Sequence, residues 1–114
     1  MIGLSEKRNR YMLDPISTRL GGIAANLARI NSFSSNEKHS EAVSKMMDES
    51  RYFIEWTASD FDIETQDELV QLQLKLSIWI HTWDKVWFDF DNRSRMAKES
   101  SEWSMRLLKI SGII

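Results

Sequence analysis

Apolar residues recur along this chain at alternating steps of three and four, the spacing that places side chains on one face of an α-helix. Four separate stretches show this spacing. The third keeps it without a miss from Leu69 to Phe90. No segment of useful length alternates apolar and polar residues with the period of two that a half-buried strand requires. The sequence therefore predicts an all-α fold.

Short polar connectors separate the four apolar stretches, which favours antiparallel packing of consecutive helices. We therefore predict an antiparallel up-down four-helix bundle over residues 14–114, with residues 1–13 as an N-terminal arm or a short extra helix. The predicted helices lie near residues 15–33, 36–57, 66–90 and 93–111.

Local start and stop signals set the predicted helix boundaries. Asp14 is a candidate N-cap, and Pro15 would take the first helical position, where its missing N–H costs nothing. Extending the third apolar stripe would place Arg93 on the apolar side, so we expect the third helix to end before it, with a kinked continuous helix as the alternative. The other signals are two capping boxes and a glycine stop, at Ser34-x-x-Glu37, Thr65-x-x-Glu68 and Gly112.

The third predicted helix is too apolar for a helix with one buried face. Between Leu69 and Phe90, thirteen of twenty-two residues are apolar, whereas one buried face needs about three positions in seven. Another helix or another copy of the chain should cover the excess. We predict an isologous homodimer with this helix at or near the two-fold axis, or docking of another protein partner. The candidate interface residues off the main stripe are Val70, Leu74, Ile78 and Phe88.

The first predicted helix carries many small residues. Gly21, Ala25 and Ala28 are candidates for the same interface. Two glycines inside a helix cost about 1 kcal/mol each relative to alanine, and close approach of the third helix or of a second chain would offset that cost. A phosphate-binding loop is excluded, because Gly21 and Gly22 lie inside a periodic helix with no lysine after them and no strand before them.

Five tryptophans are many for 114 residues. Trp79, Trp83 and Trp87 stand at i, i+4 and i+8, so a continuous helix would place them on one side. Core and interface packing is the favoured interpretation. The alternative is an aromatic wall that binds a flat apolar ligand.

The sequence carries no motif for catalysis or for cofactor or metal binding. The absence of cysteine excludes a disulfide scaffold, thiol catalysis and the usual zinc finger. His39 and His81 lie in no recognised motif, although His81 and Asp84 at i, i+3 could form an oriented base. A solvent-side pair is the favoured interpretation there. We expect a protein that is not an enzyme and has no cofactor.

Charge and hydropathy limit which partners and which cellular compartment are expected. A net charge of −2 gives no electrostatic basis for binding nucleic acid or an anionic membrane. Residues 31–68 hold ten acidic and three basic side chains, which we interpret as solvated helix faces. Apolar runs do not exceed three residues, and charged residues 6–8 follow the start, so neither a membrane span nor a signal peptide is expected. The cytoplasm is the predicted location.

Two segments, DPISTRLGGIAANLARI at 14–30 and FIEWTA at 53–58, resemble small all-helical proteins of unknown function found in cyanobacteria. The resemblance implies a cyanobacterial source and a cytoplasmic setting, and it implies no activity and no catalytic residues. From the residues themselves we expect a non-enzymatic helical interaction module or adaptor that acts through a helix face. A binding protein for a flat apolar ligand is the alternative.

Overall fold

The structure, a computed structural model, describes residues 3–113. Within that range 87% of the residues are helical and no strand is present, which confirms the predicted all-α class. Six α-helices follow one another as α1 Leu4–Met12, α2 Ile16–Phe33, α3 Ser40–Thr57, α4 Ile63–His81, α5 Trp83–Trp87 and α6 Phe90–Ser111. Single 3-10 turns at Glu37–His39 and Ala58–Asp60 precede and follow α3.

Both predicted capping boxes are wrong. Ser34 is the C-cap residue of α2, and its hydroxyl donates back to the Ile30 carbonyl instead of capping a following helix. Thr65 lies inside α4, which begins at Ile63 after the N-cap Asp62. The Asp62 carboxylate accepts from the Thr65 backbone N–H at 3.1 Å, and aspartate is the better N-cap residue.

The first and last boundary signals have different outcomes. Pro15 occupies the N-cap of α2 rather than its first helical position, and no side-chain cap bond is made there, so the predicted capping role of Asp14 is wrong. Gly112 ends α6 as predicted. Its φ of 82° is left-handed, and the Ile113 N–H bonds to the Leu108 carbonyl at 3.2 Å in the manner of a Schellman motif.

The predicted third helix is interrupted at Thr82, so a single helix over 66–90 is wrong. At Thr82 the backbone leaves helical geometry, with φ −110° and ψ 31°, while its N–H and its hydroxyl both donate to the Ile78 carbonyl. The chain then forms the single turn of α5 before Asp89 caps α6 by accepting from the Asp91 N–H at 3.0 Å.

The long helices pack antiparallel, as the order of their contacts shows. Near the start of α2, Arg19 donates to Thr57 Oγ1 at the end of α3 at 3.0 Å. Farther along α2, Ser104 Oγ of α6 donates to the Ala24 carbonyl at 2.7 Å. Ion pairs join α4 to α6 at Lys75–Glu99 and Glu68–Arg106. The most extensive contact is between α2 and α6, and α3 contacts both α2 and α4.

The core lies between these helices and includes the predicted third stripe from Leu69 to Trp79, whereas Phe90, the predicted last residue of that stripe, is exposed. The fully buried side chains of the core are mostly aliphatic, as expected of a close-packed helical core. The largest buried side chains are Trp87, Leu20, Ile23, Leu27, Ile30, Met47, Leu69, Leu72, Leu76, Met96 and Leu107.

Of the helices in residues 3–113, none combines the length and the apolarity that crossing a membrane requires.

The short helix α1 packs on α3 through Tyr11. The Tyr11 ring is stacked on Phe53 with a centroid distance of 4.0 Å and an interplanar angle of 2°. Its hydroxyl donates to the Arg19 carbonyl at 2.7 Å. Burial raises the pKa of the Tyr11 phenol well above its ordinary value. The apolar residues Leu4 and Leu13 of this region are exposed, so Tyr11 is the buried apolar contact of α1.

Of the small residues of α2, Ala24 is the one that meets α6, through its carbonyl, so the predicted approach of the third helix there is wrong, and the approach of a second chain stays a prediction. The two glycines do not themselves mediate this approach. A Cβ at Gly22 would meet Tyr11 at an ordinary contact distance of 3.8 Å, and one at Gly21 would meet only the end of the Ile113 side chain, at 2.9 Å.

Replacing Gly22 by alanine is therefore expected to stabilise the protein by about 0.5–1 kcal/mol, because alanine loses less backbone entropy in a helix and space is free. Urea unfolding measures the change. Gly21→Ala is the matched comparison and should increase the free energy of unfolding by less, because the Ile113 side chain must move. A loss of stability in Gly22→Ala would contradict the placement of Tyr11.

A polar network joins α1, α2 and α3 around Glu49. Its carboxylate forms an ion pair with Lys7 and accepts from the Asn26 amide at 3.0 Å. Burial alone would raise the pKa of Glu49, but these two hydrogen bonds and the charges of Lys7 and Arg29 outweigh it and lower the pKa.

The lowered pKa predicts acid sensitivity. The unfolded chain then binds a proton at Glu49 at higher pH than the folded chain, so this stabilisation is lost as the pH falls toward the folded-state pKa. Glu49→Gln should lower the free energy of unfolding at neutral pH by about 1 kcal/mol and by less in acid. Urea unfolding at both pH values measures this. The exposed Glu55→Gln is the control, and an equal loss at both pH values would contradict the prediction.

Candidate interaction surface

Three apolar side chains form a row on the solvent side of α4. Val70, Leu74 and Ile78 are spaced by four residues, and each is more than half exposed. We call these three residues the outer stripe. It extends roughly 12 Å along the helix at 1.5 Å per residue. The opposite side of α4 supplies core residues such as Leu72 and Leu76, which are fully buried. The helix is therefore apolar on two sides, and only one of them is covered within residues 3–113.

A groove of about 500 Å³ runs beside the outer stripe. Leu74, Ile78 and Ile80 give it an apolar wall, while Arg51 and His81 stand at its margin. The α3 side of the groove is fixed by the Gln73 amide, which donates to the Arg51 carbonyl at 3.1 Å. An open apolar groove flanked by a few polar groups is suited to receiving side chains of another molecule.

The two ends of the outer stripe differ in charge. The N-terminal end carries Asp62, Glu64 and Asp67, all exposed. Hydrogen bonding by Thr65 lowers the pKa of Asp62, which keeps that carboxylate ionised. At the C-terminal end stand the exposed His81 and Arg51, whose guanidinium pairs with Asp48 at 3.5 Å. The acidic side chains named here therefore lie at the N-terminal end of the outer stripe, and the cationic side chain Arg51 lies at the other end.

Phe88, the fourth predicted residue of this surface, does not continue the outer stripe. It is more than half exposed, but it lies after α5, beyond the break at Thr82. The regular spacing that would have aligned it with Ile78 ends at that break. The predicted set is thus separated into the outer stripe and a distinct exposed aromatic side chain at the α5–α6 corner.

The small residues of α2 lie elsewhere. Ala25 and Ala28 are exposed, and Gly21 is partly covered by Ile113. Because α2 packs between α3 and α6, and α4 contacts the same two helices, α2 and α4 lie across the fold from each other. The structure therefore does not bring the small-residue face of α2 together with the outer stripe.

The three tryptophans do not share one side of a continuous helix, so that premise of the aromatic wall is wrong. Trp79 is nearly buried on α4, before the break. Trp83 and Trp87 stack on each other after it, with centroids 5.1 Å apart at 18°. Their indole N–H groups donate to Ser40 Oγ at 2.9 Å and to the Glu37 carbonyl at 2.8 Å. This is how buried indoles are satisfied in a core.

Arg93 is a buried group that the sequence reasoning missed. Its Nε donates to the Ser34 carbonyl at 3.0 Å, and one terminal nitrogen donates to the Trp87 carbonyl at 2.7 Å. The guanidinium carbon lies 5.5 Å from the centre of the Trp87 ring, within cation–π range. Apolar periodicity did place Arg93 on the core side. The expectation failed because charged residues are seldom buried, whereas this one is held by backbone acceptors.

Within residues 3–113 the candidate pair His81 and Asp84 lies at the surface. Both residues are exposed, and they stand on either side of the break at Thr82. Across that range no three histidine, aspartate or glutamate side chains are grouped so that they could hold a metal ion. No protein-family model matches the chain, and neither a curated protein nor a solved structure gave a significant match.

Proposed function

We propose that the protein is a non-enzymatic interaction module or adaptor that docks through the outer stripe of α4 and forms a homodimer there. The observation that carries this proposal is the exposure of Val70, Leu74 and Ile78 on a helix whose other side fills the core. Exposed apolar side chains that form a contiguous row mark protein interfaces more often than isolated exposed side chains do.

The energetics favour a reversible dimer over a permanent one. Full burial of a valine, leucine or isoleucine is worth about 1.5–3 kcal/mol. The outer stripe is about half exposed, so six such side chains from two copies would contribute roughly 5–10 kcal/mol. That is comparable with the cost of association, about 4–15 kcal/mol. The groove beside Ile78 would add to the buried area.

We further propose that α2, α3, α4 and α6 form the antiparallel up-down four-helix bundle, acting in the cytoplasm. The antiparallel contacts of α2 with α3 and α6, and the ion pairs between α4 and α6, support the bundle. In such a bundle each helix turns one side outward, which leaves α4 free to dock a partner without rearrangement. The cytoplasmic location and the cyanobacterial source rest on the sequence.

Sedimentation at micromolar concentration tests the proposal. We expect the wild-type mass to approach that of two 13.4 kDa chains. Leu74→Lys should shift it to one chain while the circular dichroism spectrum stays helical, since Leu74 lies outside the core. Met105→Lys is the matched control, because Met105 is an exposed apolar residue on α6. A wild-type mass of one chain would contradict the homodimer.

A further inference from the structure

We infer that the second copy lies antiparallel on α4, with the two-fold axis at Leu74, so that Asp67 of each copy faces His81 of the other. This arrangement rests on the proposed self-association. It specifies the orientation and the register of the two helices, neither of which follows from exposure alone.

The spacing of the outer stripe is self-complementary about Leu74. Val70 and Ile78 each lie four residues from it. A two-fold axis perpendicular to α4 at Leu74 therefore places Val70 of one copy beside Ile78 of the other, with the two Leu74 side chains in contact. The groove beside Leu74 and Ile78 lies where Val70 of the second copy would insert.

Charge selects this orientation over the parallel one. Asp67 and His81 each lie seven residues from Leu74, so the same axis makes them neighbours across the interface. Arg51 also lies toward the Ile78 end of the groove and would face the acidic end of the second copy. A parallel pair would instead place Glu64 and Asp67 beside their own copies, and like charges facing each other destabilise an interface. Asp84 has the opposite sign to the basic end, but it lies beyond the helix break.

Cysteine cross-linking distinguishes the two orientations, because the chain has no native cysteine. The single variants Val70→Cys, Leu74→Cys and Ile78→Cys are oxidised. In each mixture of two variants one carries a mass tag, which distinguishes the mixed dimer from the self-linked ones. We expect Leu74→Cys to cross-link with itself. A mixture of Val70→Cys and Ile78→Cys should form the mixed disulfide about tenfold faster than either variant alone, because only that pair is held close. Met105→Cys is the exposed control and should not cross-link.

The outcomes separate this inference from the proposed function. Rapid cross-linking of Val70→Cys with itself would show a parallel pair and overturn the inference, while leaving the dimer intact. A wild-type dimer in which Leu74→Cys does not cross-link would place the interface elsewhere and would also overturn it. A wild-type mass of one chain would overturn the proposed function itself.

A charge exchange gives an independent measurement on the dimer. In mildly acidic, low-salt buffer, where histidine is cationic, Asp67→Lys should weaken dimerisation about fivefold, since two exposed ion pairs are lost and each is worth about 0.5 kcal/mol. Adding His81→Asp to the same chain should restore the affinity, because the exchanged charges again face each other. A double variant weaker than Asp67→Lys would contradict the antiparallel register.

Discussion

Replacing Trp87 by alanine is expected to lower the free energy of unfolding by about 3–5 kcal/mol, the usual cost of truncating a large buried aromatic. Trp87 is fully buried, so the substitution leaves a cavity that the surrounding helices can fill only in part. It also removes the bond to the Glu37 carbonyl and the stack on Trp83. Urea unfolding followed by circular dichroism measures the loss.

Trp87→Phe provides the comparison for this prediction. It retains an aromatic ring in the cavity while removing the indole N–H, so it should lower the free energy of unfolding clearly less than Trp87→Ala does. A loss below about 1 kcal/mol for Trp87→Ala would show that the side chain is not buried as described, since that is less than a buried aromatic ever contributes by area.

Arg93→Met should cost about 2–4 kcal/mol, because two buried carbonyls lose a charged hydrogen-bond donor while the methionine retains much of the aliphatic packing. The carbonyls of Ser34 and Trp87 belong to the backbone, so no substitution removes them together with the guanidinium. The substitution also removes the free-energy cost of burying a charge, but this offsets only part of the loss in stability. Thermal or urea unfolding measures it.

The neighbouring arginine supplies the control. Arg95 is exposed on the same helix, so Arg95→Met should change stability by less than about 0.5 kcal/mol. Equal effects of the two substitutions would contradict the burial of Arg93. Because the guanidinium lies over the Trp87 ring, the losses from Arg93→Met and Trp87→Ala should also be less than additive when combined.

Most of the helical content could be predicted because the buried apolar residues of this sequence recur with the period of an α-helix. Leu69, Leu72, Leu76 and Trp79 are buried at the predicted steps of three and four. The break at Thr82 could not be predicted in this way, since the apolar steps continue through it to Trp83 and Val86. It is a local change of backbone conformation at Thr82, which leaves no trace in the apolar pattern.

The candidate surface was predicted in part for a similar reason. Val70, Leu74 and Ile78 lie off the buried stripe of one uninterrupted helix, so local geometry alone was enough to place them outside the core. Phe88 and the small residues of α2 were assigned to the same surface without knowledge of where the chain turns. Which helices become neighbours is decided by tertiary packing, as the contact between α2 and α6 shows.

The two sides of α4 have different tasks. The outer stripe contributes little to the core, whereas Leu72 and Leu76, on the opposite side of the same helix, are fully buried. On the proposal that the outer stripe docks a partner, substitutions at Leu74 or Ile78 alter the docking surface at almost no cost in folding free energy, as is usual for exposed positions. Partner specificity and thermodynamic stability could then diverge independently over evolutionary time, although Leu74 and Leu76, only two positions apart in the chain, lie on the two different sides.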